Sequence, residues 1–189
     1  MSRTAVATTT SIFLPESTSN AFAQTITTTE PPACFESQII INPGFDLDSL
    51  SKAPWIGDGD VICHGAYSAP CALSWNLENG SGFVNIQQTL HNLEGTYTLS
   101  YRYRAVSAVN LGTGFSCNIA VLIGDETLPE TDLSEFGDWR LQTQTWTKDP
   151  EIPAEALFQI IASCSGEYDE LAINVDDITF TSDCGPQAP

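Results

Sequence analysis

The chain is short of positive charge. Lys and Arg together number 6 against 24 Asp and Glu, a formal net charge of −18 over 189 residues. Nucleic acid, anionic membrane and acidic polysaccharide all reward clustered Lys and Arg, so this balance disfavours each as a partner. A neutral or cationic partner is favoured; simple solubility is the other reading of the charge. No apolar run reaches the length of a membrane span, which argues against membrane insertion. The only histidines are His64 and His91, and neither belongs to an HExxH or stands beside a GxSxG. A Gly-rich phosphate loop, an internal repeat and sustained helical periodicity are also missing. The six cysteines contain no CxxC pair and no Cys/His spacing of a zinc site. Their even number points instead to three disulfides and an oxidising, extracellular compartment. The N-terminus does not read as a signal peptide, because its apolar cluster Ile12-Phe13-Leu14 is cut short by Pro15.

What is present falls into two parts. Residues 1–33 are dominated by Thr and Ser, with Thr8-Thr9-Thr10, Thr27-Thr28-Thr29 and Pro31-Pro32. Such a segment has too little apolar surface to offset its ordering entropy and is expected to be a disordered tail, stalk or linker. The folded domain is expected from Cys34 to Cys184. Its clearest stretch is 95–104, where Tyr97, Leu99, Tyr101 and Tyr103 alternate with Thr98, Ser100, Arg102 and Arg104. This period of two is the pattern of a half-buried strand, with a tyrosine flank facing the core and an arginine flank facing water or a ligand.

Further strands are expected at 38–42, 61–64, 71–75, 83–90, 115–123, 139–147, 156–164 and 171–180, separated by turns such as Asn79-Gly80-Ser81-Gly82. Only Thr131–Phe136 could make a helical turn. This spacing predicts an all-β, two-sheet sandwich of jelly-roll type. Phe115, Cys117, Ile119, Val121 and Ile123 share one strand face, as do Ala156, Phe158, Ile160, Ala162 and Cys164. A Cys117–Cys164 bridge between these core-facing stripes is geometrically sensible. Cys63 and Cys71 flank a short excursion and would close it. Cys34–Cys184 would then join the domain ends, adding roughly 4 to 5 kcal/mol in the chain-entropy model. Trp75 and Trp139 are expected in the core, Trp55 and Tyr67 in loops at a rim. Asn79 heads the only N-glycosylation sequon.

Three segments carry a resemblance. Ile40-Ile41-Asn42-Pro43-Gly44-Phe45-Asp46 resembles the N-G-x-F-E opening of carbohydrate-binding modules of the 4/9 type, which are galactose-binding-like jelly rolls. Ile86-Gln87-Gln88-Thr89-Leu90 with Leu93 to Ser100 is similar to their Q-T-(I/V)…G-x-x-Y-x-L-S segment. Ile173 to Phe180, containing Asp176-Asp177-Ile178, resembles their closing strand. The likeness spans about residues 38 to 182, and the cysteines resemble those of secreted fungal versions.

It implies a structural calcium between the opening and closing segments, carried over onto Asp46, Asp176 and Asp177. Calcium's preference for carboxylate oxygens agrees. The other reading is that Asp46 caps a turn and the pair ends an exposed strand. The likeness also implies a sugar groove on one sheet. On the flank of Arg102 and Arg104, neighbouring strands are expected to offer Asn118, Gln142, Gln144 and Trp146, an open trough of hydrogen-bonding groups and an indole.

No catalytic set is evident. Glu167, Asp169 and Glu170 could supply paired carboxylates for glycoside cleavage, but read more simply as a solvated hairpin tip. The expectation is therefore a non-catalytic, extracellular, monomeric module for a neutral polysaccharide. Its rivals are an adhesive surface domain without sugar binding and a small glycan-cleaving enzyme.

Overall fold

The computed structural model describes residues 37–183, residue 49 excepted. The tail expected over 1–33 and the expected Cys34–Cys184 bridge fall outside the described residues. Strands run in the order β1 (Ile56–Gly57), β2 (Asp60–Ile62), β3 (Ala72–Glu78), β4 (Ser81–Leu90), β5 (Thr96–Val109), β6 (Ser116–Ile123), β7 (Glu126–Thr127), β8 (Thr131–Asp132), β9 (Arg140–Thr147), β10 (Ala156–Ser165) and β11 (Glu170–Asp183). They form two antiparallel sheets. One has the order β2-β3-β11-β5-β9; the other has β1-β4-β10-β6-β7, with β8 also paired to β6. The all-β two-sheet sandwich is thus present, and no helix forms among the described residues.

The core follows from alternation. On β5, Tyr97, Leu99, Tyr101 and Tyr103 are all buried, as are Cys117, Ile119, Val121 and Ile123 on β6 and Ala156, Phe158, Ile160, Ala162 and Cys164 on β10. Each large inward side chain contributes about 1.5 to 3 kcal/mol by leaving water. Tyr97 stacks on Phe180 of β11, ring centroids 4.6 Å apart. The Tyr101 hydroxyl shares a 2.8 Å hydrogen bond with the Thr131 hydroxyl, yet burial still pushes the phenol up to about 12. Cys117 and Cys164 stand directly opposite in the β6–β10 register and are bonded. Cys63 and Cys71 are bonded too, closing the loop between β2 and β3.

Four expectations fail, each for a local reason. Residues 38–42 form no strand: only Gln38 bridges to Thr181, because Asn42 and Phe45 adopt positive φ and turn the chain away. Thr131–Phe136 makes no helical turn. Thr131 and Asp132 pair instead with Ile119 and Asn118, and Phe136 bridges to Ala105. Trp55 is buried rather than at a rim, packed on Phe45 and Phe158 with its indole N–H donating to the Asn42 carbonyl at 3.0 Å. Trp139 is only half-buried and lies just before β9, outside the core.

Candidate functional site

The arginine flank of β5 is not an open trough. Arg102 faces Asp176 of β11 on one side and Leu141 of β9 on the other, while Arg104 faces Asn174. Over them lies the loop closed by Cys63–Cys71. The loop is pinned by the backbone N–H groups of Tyr67 and Ser68, which donate to Asp176 Oδ2 at 2.9 and 3.0 Å. The Tyr67 ring sits 4.1 Å from the Arg102 guanidinium, and Arg104 donates to the Gly65 carbonyl at 2.6 Å while stacking on Trp139 at 4.6 Å. With the Asn174 amide oriented to accept from Arg104, at 3.2 Å, the Nη2 group of that guanidinium has two acceptors. A chain segment therefore covers much of the surface expected to be the trough floor.

The companions expected there are elsewhere. Residues directly opposite in an antiparallel pair share a face. Gln142 is opposite Tyr101, Gln144 opposite Leu99 and Trp146 opposite Tyr97, so all three lie on the core side of β9. Trp146 is 2 % exposed, packs on Tyr97 and Phe180, and donates its indole N–H to Glu126 at 2.7 Å. Gln144 reaches across to the Pro129 carbonyl at 2.7 Å. Asn118 belongs to the other sheet, on β6, where its amide bonds to Glu130.

The three acidic residues expected around a metal do come together. A side chain built on Gly44 would meet Asp46 Oδ2 at 2.9 Å and Asp176 Oδ1 and Asp177 Oδ1 at 3.5 Å each. The register slips between Asp176 and Thr179, and Asp177 has φ 48°; this bulge presents both carboxylates to the 43–46 turn. Asp46 accepts from the Cys71 N–H at 2.9 Å and Asp177 from the Ser68 hydroxyl at 2.6 Å. Asp176 is fully buried and makes no ion pair among the described residues. Burial pushes its carboxyl up to about 6, with the Ser68, Asp177 and Tyr67 N–H groups pulling the other way. As arranged, no three acidic, histidine or cysteine side chains among the described residues make a closed ligand set. The donors are nonetheless the hard oxygens that calcium takes.

The outward face of the second sheet has a different character. Across β4, β10 and β6 its side chains form rows: Phe83, Ser163 and Asn118; Asn85, Ile161 and Ala120; Gln87, Gln159 and Leu122. With Ser81, Thr89, Leu157, Ser165 and Ser116, these complete the outward positions of the three strands, and none is charged. Phe83 is 70 % exposed, Ile56 of β1 extends the Gln87 row at 67 %, and Gln159 donates to Gln87 at 2.8 Å. An exposed ring can pack on the C–H face of a pyranose, while amides both donate to and accept from hydroxyls. Sequence reasoning missed Phe83. Its signal was parity, because it stands out of phase with the inward Ile86 and Leu90 of the same strand.

The acidic cluster at the start of β11 serves the turn it sits in. Glu167 accepts from the Thr113 N–H at 3.0 Å, Asp169 accepts from the Asn110 amide, and Glu167, Asp169 and Glu170 are all exposed. His91 pairs with Glu155 at 2.9 Å on the surface and His64 is exposed.

No protein-family model and no curated protein matches the chain in sequence. Solved structures match in fold. A family 61 carbohydrate-binding module in complex with β-1,4-galactotriose is 15 % identical, with 76 % of this chain and 97 % of that one covered at a TM-score of 0.53. The family 22 xylan-binding domain of a Paenibacillus barcinonensis protein is 12 % identical, covering 78 % and 96 % at 0.55. An arabinose-bound α-L-arabinofuranosidase matches at 17 % identity and 0.56, but this chain covers only 26 % of it. What the chain shares with these proteins is architecture: it has the antiparallel β-sandwich fold of carbohydrate-binding modules.

Proposed function

We propose that the domain binds a neutral polysaccharide, without cleaving it, on the outward face of β4, β10 and β6. One observation carries the reading. In a chain with 24 acidic and 6 basic residues, three adjacent strands present no charge outward and one well-exposed aromatic ring. The galactotriose and xylan named for modules of like fold support this ligand class. The two disulfides among the described residues suit an extracellular setting, and Asn79 is exposed in a turn where Asn79 and Gly80 both have positive φ, open to N-glycosylation. Retention on immobilised neutral polysaccharides, compared between the wild type and Phe83→Ala, tests the proposal. Retention should fall roughly ten- to a hundred-fold, the share of a buried phenyl ring. The variant's melting temperature should hold, since the ring is exposed. Absence of retention on every glycan would favour the adhesive reading; sugar product released from them would favour an enzyme.

Asp46, Asp176 and Asp177 are assigned in the same proposal to one structural calcium. Their convergence on Gly44, and the lack of a cationic partner for Asp176 among the described residues, support it. Calcium would neutralise this cluster and tie the 43–46 turn to β11. A melting temperature indifferent to chelator would contradict it.

A further inference from the structure

We propose that Arg102 is the centre of a second site, independent of the β4–β10–β6 face, which takes the carboxylate of an acidic sugar residue. Among the described residues its guanidinium has no hydrogen bond and no ion pair, although acidic residues outnumber basic ones 24 to 6. Arg104, two residues on, has both a carbonyl and an amide partner. None of the Arg102 nitrogens is among the buried polar atoms left without a partner, whereas Arg104 Nε is. The free N–H groups of Arg102 therefore reach solvent. Asp176, directly opposite on β11, is occupied by the Tyr67 and Ser68 N–H groups through Oδ2 and the Asp177 N–H through Oδ1.

The guanidinium is also held in place. The Tyr67 ring lies 4.1 Å from it, Trp139 meets Tyr67 edge-on at 6.0 Å, and the Tyr67 backbone N–H is anchored to Asp176 within the disulfide-closed loop. Tyr67 is 46 % exposed and Leu141, across β9 from Arg102, is 50 % exposed. A pre-organised planar fork, bordered by an aromatic ring and an aliphatic side chain, matches a carboxylate on a sugar ring better than it matches an isolated ion. The net charge of −18 opposes such a ligand; of the near charges, Asp176 across the strand pair has both oxygens engaged by backbone N–H groups, and the rest acts from further away. At ~0.15 M salt the Debye length of about 8 Å screens most of that repulsion and leaves the direct contact.

Calorimetric titration of the whole chain with oligogalacturonate, and with a neutral galacto-oligosaccharide of equal length, tests this at ~0.15 M salt. Oligogalacturonate should bind the wild type. Arg102→Gln should weaken it about tenfold or more, with Arg102→Lys, which keeps the charge without the fork, in between. Phe83→Ala should leave it unchanged, so failure of the neutral-glycan reading does not touch this one. Melting temperatures of both arginine variants report whether the fold is kept. The site is overturned if oligogalacturonate does not bind, if Arg102→Gln and Arg102→Lys both bind it like the wild type, or if Phe83→Ala abolishes its binding.

Discussion

Asp176 makes stability depend on pH in an unusual sense. Its carboxyl is buried, has no cationic partner among the described residues, and is raised from 3.8 to about 6 by desolvation first of all. A group whose folded value exceeds its unfolded value stabilises the fold most when both states are protonated. Its contribution is complete below about 3.8 and is lost as pH rises through about 6. At roughly 1.4 kcal/mol per pH unit, the interval amounts to about 3 kcal/mol. In a domain of this size that corresponds to roughly 6 to 12 °C in melting temperature. Calcium held by Asp46, Asp176 and Asp177 would favour the ionised form and erase the loss. The assay is urea unfolding from pH 4 to 7, in chelator and in calcium, on the wild type and on Asp176→Asn. The variant is needed because relief of general acidic repulsion also stabilises the chain at low pH. In chelator the wild type should lose about 2 to 2.5 kcal/mol more than Asp176→Asn between pH 4 and 7, the first part of the loss lying below pH 4, and calcium should remove the difference. Parallel pH profiles for the two proteins in chelator would refute the reasoning.

Trp146→Ala should cost about 3 to 5 kcal/mol, because it opens a cavity against Tyr97 and Phe180 in the core. An unchanged urea midpoint would return Trp146 to the surface. Replacing both Cys63 and Cys71 by Ser opens a loop of sequence separation 8 and should cost roughly 2 to 3 kcal/mol in the chain-entropy model. The same change should make Trp139 more accessible to a fluorescence quencher, and unaltered quenching would show that the loop holds its place without the bridge. Asn79→Gln should abolish any mobility shift that an N-glycosidase produces on protein secreted from a eukaryotic host; a persistent shift would place the glycan elsewhere.

The fold was legible where apolar and polar residues alternate in one clear phase. Tyr97, Leu99, Tyr101 and Tyr103 gave the core side of β5 at once, and the stripes on β6 and β10 placed Cys117 opposite Cys164. On β9 the sequence Arg-Leu-Gln-Thr-Gln-Thr-Trp-Thr is polar at nearly every position, so its phase rests on Trp146, which the amide-rich pattern invited one to place outside. Alternation gives a face but not a sheet, which is why Asn118 was set beside Arg102 when pairing puts β6 and β5 in different layers. The loop that covers Arg104 and one face of Arg102 depends on Asp176 capturing the N–H groups of Tyr67 and Ser68 across more than a hundred residues of sequence, and no local pattern encodes that contact. Convergence of Asp46, Asp176 and Asp177 came from the resemblance, and the bulge that produces it is invisible to a period-two reading.

The claim that the outward positions of β4, β10 and β6 form the sugar-binding surface is tested most directly by backbone amide shifts on titration with a neutral oligosaccharide that the protein retains. Shifts should concentrate on β4, β10 and β6, around Phe83, Asn85, Gln159, Ile161 and Asn118. Shifts confined to Tyr67, Arg102 and Trp139 on the opposite sheet would contradict the assignment.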